Sequence, residues 1–349
     1  DGERLPQRSI RWMSVSRRIA EDLMRVVHRF LCIVLLLFVG WPGYAAAQAG
    51  SDLTSFPVLT LEASARAAAL SGASGAMIGE DVNALFYNPA LLETDQPAAS
   101  LSYTNHLSDI NAGALAYART LDRWGTTVGA GLRFVHWGEF DGRDAQGAPT
   151  GTFRAGDVAL TLTASQAGES RSRYGVSVHV VHSALEAARA TAIAADLGTQ
   201  YRIPTYGLTL AASLRHLGTT LDAFGPGDTA LPADLRLSVS KDLAHLPLRL
   251  IMSGYDLNHL GTGVADGSAL DNVMAHVLLG GELTLGGALH LRAGYNHRRS
   301  TELALSDRLD LAGLNLGFGL VLSRLNVDYA YSSWSSLGGL HQFTLRTSL

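Results

Sequence analysis

The sequence predicts an all-β fold, a transmembrane antiparallel β-barrel of fourteen strands preceded by a plug segment, and three observations carry that expectation. The chain of 349 residues is 47% hydrophobic yet only 17% charged, and it holds 37 glycines, whereas soluble domains run near a quarter charged. Its apolar residues recur at period two rather than in one long run. Its connections alternate between short and long. A chain this apolar offsets its ordering entropy by burial, which excludes disorder. A formal net charge of −4 supplies no general basic field for nucleic acid.

Residues 1–49 are expected to be absent from the mature protein. From Met24 the chain shows a basic start at Arg25 and Arg29, an apolar stretch Leu31–Val39, and small residues at Ala47-Gln48-Ala49, the pattern of a secretory signal with cleavage after Ala49. The apolar run is too short to span a bilayer as a helix. Residues before Met24 read as lying upstream of the true start. The single cysteine, Cys32, lies in the signal, so the mature chain has none, which excludes a disulfide framework, a thiol nucleophile and a thiolate metal site. Removing 1–49 takes seven arginines and four acids with it and leaves a net charge of −7.

Residues 50–97 form the expected plug. Ala63–Leu70 is alanine-rich, Ser71–Ala76 is built of Gly, Ala and Ser, and Glu80-Asp81 is a helix start that the Asn88-Pro89 turn ends. Small residues permit the close packing that a lumen requires.

The barrel is expected over 98–349. Leu289, Leu291, Ala293 and Tyr295 alternate with His290, Arg292, Gly294 and Asn296, and the same period marks Leu208–Leu214 and Leu325–Ser332, as in a strand with one face toward lipid. The strands expected in order are Ala98–Leu107, Ile110–Arg119, Trp124–Trp137, Thr152–Ser165, Tyr174–Ala184, Thr191–Ile203 and Tyr206–Leu217. Asp234–Asp242, Pro247–Leu257, Met274–Thr284, Ala288–His297, Leu311–Leu322, Leu325–Ser332 and Gly339–Leu349 complete the fourteen. Most reach about ten residues, the length that crosses a bilayer at a tilt, where globular strands average about five or six.

Short connections such as Thr120–Arg123, Pro204–Thr205 and Ser323–Arg324 alternate with long ones at Gly138–Gly151, Gly218–Ala233, Asn258–Val273 and Arg298–Asp310. That asymmetry matches bacterial outer-membrane barrels, with short turns and both termini periplasmic and long loops at the cell surface. A β-sandwich has no reason to keep it. Trp124 and Trp137 bracket the third strand at roughly 30 Å along the membrane normal, the spacing of two aromatic girdles.

Site chemistry is sparse, and no catalytic, cofactor-binding or metal set is expected. Gly129-Ala130-Gly131 and Gly317-Phe318-Gly319 lack the third glycine of a dinucleotide site and read as relief of crowding in the wall. No nucleophile elbow is present. His179 and His182 face opposite sides of a strand. His-Leu-Gly-Thr occurs at His216–Thr219 and at His259–Thr262, read as equivalent strand exits. The charge-rich loop positions Asp141, Arg143, Asp144, Asp222, Asp228, Arg298 and Arg299, with Glu302 and Asp307, are either solvated loop tips or a partner-docking surface.

Asn88-Pro89-Ala90 after a Gly/Ala-rich stretch resembles the N-terminal hatch of FadL-type outer-membrane barrels. More narrowly, Ser64-Ala65-Arg66-Ala67-Ala68-Ala69-Leu70-Ser71-Gly72, Asp81-Val82-Asn83 leading to Asn88-Pro89-Ala90-Leu91-Leu92, Tyr103–Tyr117, and Leu291–Arg299 together resemble the PorV/PorQ group of the type IX secretion system, across essentially the whole mature chain. The terminal Leu349 departs from the aromatic that ends many barrels. The resemblance implies a non-catalytic barrel that anchors a surface attachment complex. PorZ, PorU and PorV are the implied protein partners, outer-membrane lipid is the solvent, and the complex processes secreted cargo and links it to anionic lipopolysaccharide. Its alternatives are a FadL-type channel for hydrophobic small molecules and a PorV-like cargo shuttle.

Overall fold

The computed structural model describes residues 56–105, 110–169, 171–224, 230–261, 267–303, 311–335 and 338–349. The expected signal segment, Asp228 and Asp307 lie outside them.

Fourteen antiparallel strands close on themselves in sequence order. They are β1 Ala98–Asn105, β2 Asn111–Leu121, β3 Thr126–Arg143, β4 Pro149–Ala167, β5 Ser172–Leu185, β6 Ala188–Ile203 and β7 Leu208–Asp222, then β8 Asp234–Asp242, β9 Leu248–Gly254, β10 Val277–Leu285, β11 Leu289–Asn296, β12 Leu314–Leu322, β13 Leu325–Ser335 and β14 Gly338–Ser348. β1 closes onto β14 in continuous register from Ala98↔Ser348 to Asn105↔His341, and the Leu349 amide donates to the Pro97 carbonyl at 2.7 Å. Closure leaves no edge along the wall, which lipid would not tolerate.

Alternation sets the two faces as expected. Leu101, Leu115, Leu160, Leu162, Val178 and Met252 stand exposed on the outside, a contiguous apolar belt that only lipid explains. Rings continue it across the closing seam: Phe318, Tyr329, Phe343 and Tyr103 are successive register neighbours on β12, β13, β14 and β1, with centroids 5.4 Å apart for Phe318 and Tyr329 and 5.0 Å for Tyr329 and Phe343. The tryptophan girdle expected on β3 is not formed. Trp124 lies in the preceding turn, 63% exposed, whereas the Trp137 indole donates to Asp157 Oδ2 at 3.1 Å, and Asp157 is buried in the lumen. An odd separation along a strand points two side chains to opposite faces.

Two of the four long loops are shorter than the sequence suggests, and the other two carry a short helix. Gly138–Gly151 is mostly strand: β3 and β4 stay paired through Glu139↔Arg154, Phe140↔Phe153 and Gly142↔Gly151, because the stacked phenylalanines and the opposite charges hold the ribbon together. β7 runs on to Asp222. Residues 258–273 contain most of a helix, α2 Ala269–Met274, with Ser268 and Asp271 in a capping box. The last long loop opens with α3 His297–Leu303. The wall is therefore uneven, with β3, β4, β6 and β7 of 18, 19, 16 and 15 residues against 9, 7, 9, 8 and 9 for β8 to β12.

The plug runs through the lumen. Phe56, Val58 and Leu59 pack with Val135, Ala190, Ala192 and Leu231, residues of the long-loop half. The chain then descends through α1 Ala65–Ala69 and a 3-10 turn Val82–Phe86 to leave at the short-turn end as β1. Ser64, Asp81 and Asn88 each cap the element that follows them. The sequence expected one helix ended by Asn88-Pro89. Two short 3-10 turns form instead, and Asn88 starts the second, Pro89–Leu91, with proline at its first position.

Candidate functional site

Lumen-facing glycines seat the plug. A Cβ on Gly131 would lie 2.5 Å from Phe86 Cζ, and on Gly317 2.5 Å from the Ala69 methyl. On Gly175 it would meet the Pro89-Ala90 peptide, on Gly198 the Asn88 side chain, and on Gly294 the Leu70-Ser71 peptide. At Gly131, Gly175, Gly198 and Gly294 the crowding relieved is therefore between wall and plug, whereas Gly317 also meets the Tyr329 carbonyl and Gly319 the Asp328 and Arg292 side chains, which is crowding within the wall. The expected motif Asn88, Pro89 and Ala90 lies at this seat. Asn88 Oδ1 accepts from the Ala90 amide at 3.1 Å, and its Nδ2 donates to the carbonyls of Gly75 at 3.1 Å and Ala212 at 3.4 Å, joining two turns of plug to β7. Asn88→Leu leaves those buried groups without partners, and the expected loss is about 2–3 kcal/mol of barrel stability, read as a lower midpoint in urea unfolding.

Arginines on the wall then fasten the plug. Arg133, Arg173, Arg215, Arg236, Arg249 and Arg346 each donate to a plug carbonyl, those of Leu59, Leu92, Phe86, Gly72, Ile78 and Glu80, at 2.9 to 3.3 Å. They come from β3, β5, β7, β8, β9 and β14, so the plug is held around the barrel and along its height. In the short-turn half the ion pairs form one network. Arg66 forks onto Glu282 at 2.8 and 2.9 Å and reaches Asp81 at 3.4 Å. Arg292 bridges Glu282 at 2.7 Å and Asp328 at 2.6 Å, and Arg346 joins Asp328 at 2.9 Å. Buried charges are tolerated when paired and hydrogen-bonded in this way.

In the long-loop half a β-bulge turns two consecutive side chains inward. Arg215 and His216 on β7 oppose the single Asp196 on β6, and His216 takes a φ of 56°. Its amide donates to Asp196 Oδ1 at 2.7 Å, while Asp196 Oδ2 lies 3.0 Å from His179 Nε2. His179 is fully buried and His182 faces out, as the strand parity requires. The two His-Leu-Gly-Thr copies are not equivalent: His216 sits inside β7 at this bulge, whereas His259 follows β9 and bonds Asp256 at 2.8 Å. Bulges are set by register, which a repeated tetrapeptide does not reveal.

Between plug and wall, beside Arg133, Glu62, Thr104 and Gln342, a cavity of about 10 Å³ remains, room for one water. Phe56, Phe86, Leu70, Met77 and Leu92 of the plug are each fully buried.

The charged positions singled out in the sequence divide between two places. Asp141 pairs with Thr152 on the β3–β4 ribbon. Asp144 builds the turn at its tip, accepting from the Gln146 and Ala148 amides at 3.0 and 2.8 Å, and Arg143 donates to the Gly147 carbonyl at 3.1 Å. Asp222 ends β7. Across the mouth, Arg298 pairs with Asp256 at 3.1 Å and lies over Tyr255, and Arg299 lies over Trp334. Asp141, Arg143 and Asp144 are therefore separate from Arg298 and Arg299, which brace the low rim. Asp271 on α2 is held below the usual carboxylate range by hydrogen bonds from the Ser268 hydroxyl and amide, with His297 adding to them.

No family model matches the sequence, and no curated protein does. Solved structures do. A ΔS2S3 mutant of the monoaromatic hydrocarbon channel TodX superposes with a TM-score of 0.53 at 16% identity, covering 84% of this chain and 99% of that one. A FadL homologue of Pseudomonas aeruginosa gives 0.51 at 13% identity, over 82% and 98%. Identities this low speak to the fold. The architecture they share is a closed fourteen-strand barrel of the FadL-like kind.

Proposed function

We propose that this FadL-like outer-membrane barrel is a sealed, non-catalytic anchor that holds a protein partner at its long-loop end. The observation that carries the reading is the fastening of the plug: six wall arginines bond its carbonyls, and its Phe56 and Phe86 rings are fully buried. Passage through such a lumen requires breaking buried charge pairs. The short turns then lie in the periplasm and the β3–β4 ribbon and the rim helices at the cell surface. The resemblance of the plug and strand motifs to the PorV/PorQ group, and to its PorQ members in particular, supports a place in the type IX attachment complex, with PorZ as the partner held and PorU and PorV beside it.

Co-purification from detergent-solubilised outer membrane tests this. The barrel is expected to bring down the partner, and deletion of 223–230 together with 260–267 is expected to release it while the barrel still migrates as a folded band on unheated gels. Undiminished recovery of the partner counts against docking at this end.

The likeness to a hydrocarbon channel and to a FadL homologue favours a second reading, a channel for small hydrophobic molecules. It requires the plug to yield. In planar bilayers the anchor reading expects no steady current from the intact chain and an open pore once residues 64–92 are deleted. Uptake of a monoaromatic hydrocarbon by liposomes that contain the intact chain supports the channel instead.

A further inference from the structure

The β3–β4 ribbon outgrows both of its neighbours. β2 ends its pairing with β3 at Asn111↔His136, and β5 ends its pairing with β4 at Leu185↔Ala155. Glu139–Gly142 therefore pair with β4 alone, and the ribbon continues to Arg143, roughly 17 Å of strand over five residues. A two-stranded ribbon has two open edges.

The edges are not alike. The Glu186 amide donates to the Arg154 carbonyl at 3.4 Å, so Arg154 turns its main-chain groups away from β3, and Glu139↔Arg154 is a pair without mutual hydrogen bonds. In an antiparallel ladder such pairs alternate. Glu139 and Asp141 therefore point their N–H and C=O groups away from β4, to the side where β2 has stopped, and no described residue pairs with them there. On the other edge Arg154 is already engaged, and Pro149 has no N–H to offer.

Side chains give this edge a chemistry. Glu139 and Asp141 share one face of the ribbon. Glu139 is hydrogen-bonded by the Thr152 side chain across the ribbon and makes a loose, exposed ion pair with Arg154 at 3.7 Å, and Asp141 has no ion pair among the described residues. Phe140 lies on the other face, stacked on Phe153 at 5.4 Å yet 41% exposed.

The geometry points to the Glu139–Asp141 edge as a docking site for an extended strand of a partner protein, with lysine or arginine on the face beside Glu139 and Asp141 and an apolar residue on the face beside Phe140. Main-chain bonds to the two unpaired residues supply attachment, as in strand addition, and opposite charges beside each other across the new pair supply selectivity. Two copies of this acidic edge repel one another, which disfavours self-pairing. The assignment rests on the reading of the long-loop end as the docking end.

The probe is a fluorescent decapeptide of alternating lysine and valine, titrated against the detergent-purified full chain. The wild type is expected to bind it. Asp141→Pro removes one outward N–H without touching the β3–β4 ladder, and binding is expected to fall on the order of tenfold. A peptide N-methylated at alternate residues is expected not to bind. Glu139→Lys with Asp141→Lys is expected to switch preference to a glutamate–valine peptide. A wild type that binds no peptide, an Asp141→Pro chain that binds as well as wild type, or equal binding of the methylated peptide overturns the assignment. Gel migration of the folded barrel controls for folding in every variant. The edge is judged by peptide binding and the anchor reading by co-purification of the partner, so either fails visibly without the other.

Discussion

Alanine at Gly294 or at Gly175 is expected to unseat the plug, while alanine at Gly281 leaves it in place. All three are strand glycines, where alanine ordinarily helps by restricting the unfolded chain. The difference lies in what the methyl meets. At Gly294 it would sit inside the Leu70-Ser71 peptide, 2.6 Å from the Ser71 nitrogen, and at Gly175 inside the Pro89-Ala90 peptide, 2.5 Å from the Ala90 nitrogen. Neither obstacle is the end of a flexible side chain, so the plug or the wall must move. Overpacking of this kind costs about 1–3 kcal/mol per site. The two seats hold separate parts of the plug, so the double variant is expected to lose about the sum. Gly281 faces out, and its nearest neighbour, Leu250 Cδ2, is 3.8 Å away, an ordinary contact worth roughly ±0.5 kcal/mol. Urea unfolding followed by tryptophan fluorescence measures the differences, and trypsin cleavage at Arg66 reports release of the plug. Equal behaviour of the three variants contradicts a glycine-lined seat.

The same comparison shows why part of this molecule is legible in its sequence. Strand existence, strand number and the lipid face follow from period two, which is local: Leu291 and Ala293 face out and Arg292 and Gly294 face in, wherever the neighbouring strands lie. The hatch motif is local too, since Asn88 caps its own turn. What depends on register is not legible. Arg66 meets Glu282 across 216 residues, and nothing near either residue names the other. The bulge opposite Asp196, the inward turn of Trp137 and the extension of β3 past β2 are likewise set by how strands align. A usable signal for the network was nonetheless present: charges inside strands on the polar parity, such as Glu282, Arg292, Asp328 and Arg346, are costly unless partners wait in the lumen. They mark a filled interior. The loop tips, by contrast, carry charge that water solvates at little cost, and so their composition says less about what they touch.

Arg292→Met is expected to be the most damaging substitution in the network. Arg292 is 4% exposed and is the group that joins the Glu282 cluster to Asp328 and Arg346. Around it four guanidiniums, of Arg66, Arg249, Arg292 and Arg346, meet four carboxylates, of Asp81, Asp242, Glu282 and Asp328. Methionine fills much of the volume but leaves one negative charge uncompensated in a buried site, a loss of about 3–5 kcal/mol. Arg66 still forks onto Glu282, so the deficit falls on Asp328, which keeps only Arg346. Neutralising that carboxylate should therefore repair part of the damage: Arg292→Met with Asp328→Asn is expected to be more stable than Arg292→Met alone, with a coupling of about 1–3 kcal/mol between the two sites. A surface pair would lose its effect in high salt, whereas these groups are shielded from bulk ions, so the coupling is expected to persist at 1 M sodium chloride. A double variant no better than the single one, or a coupling abolished by salt, would show that the network does not act as a buried unit.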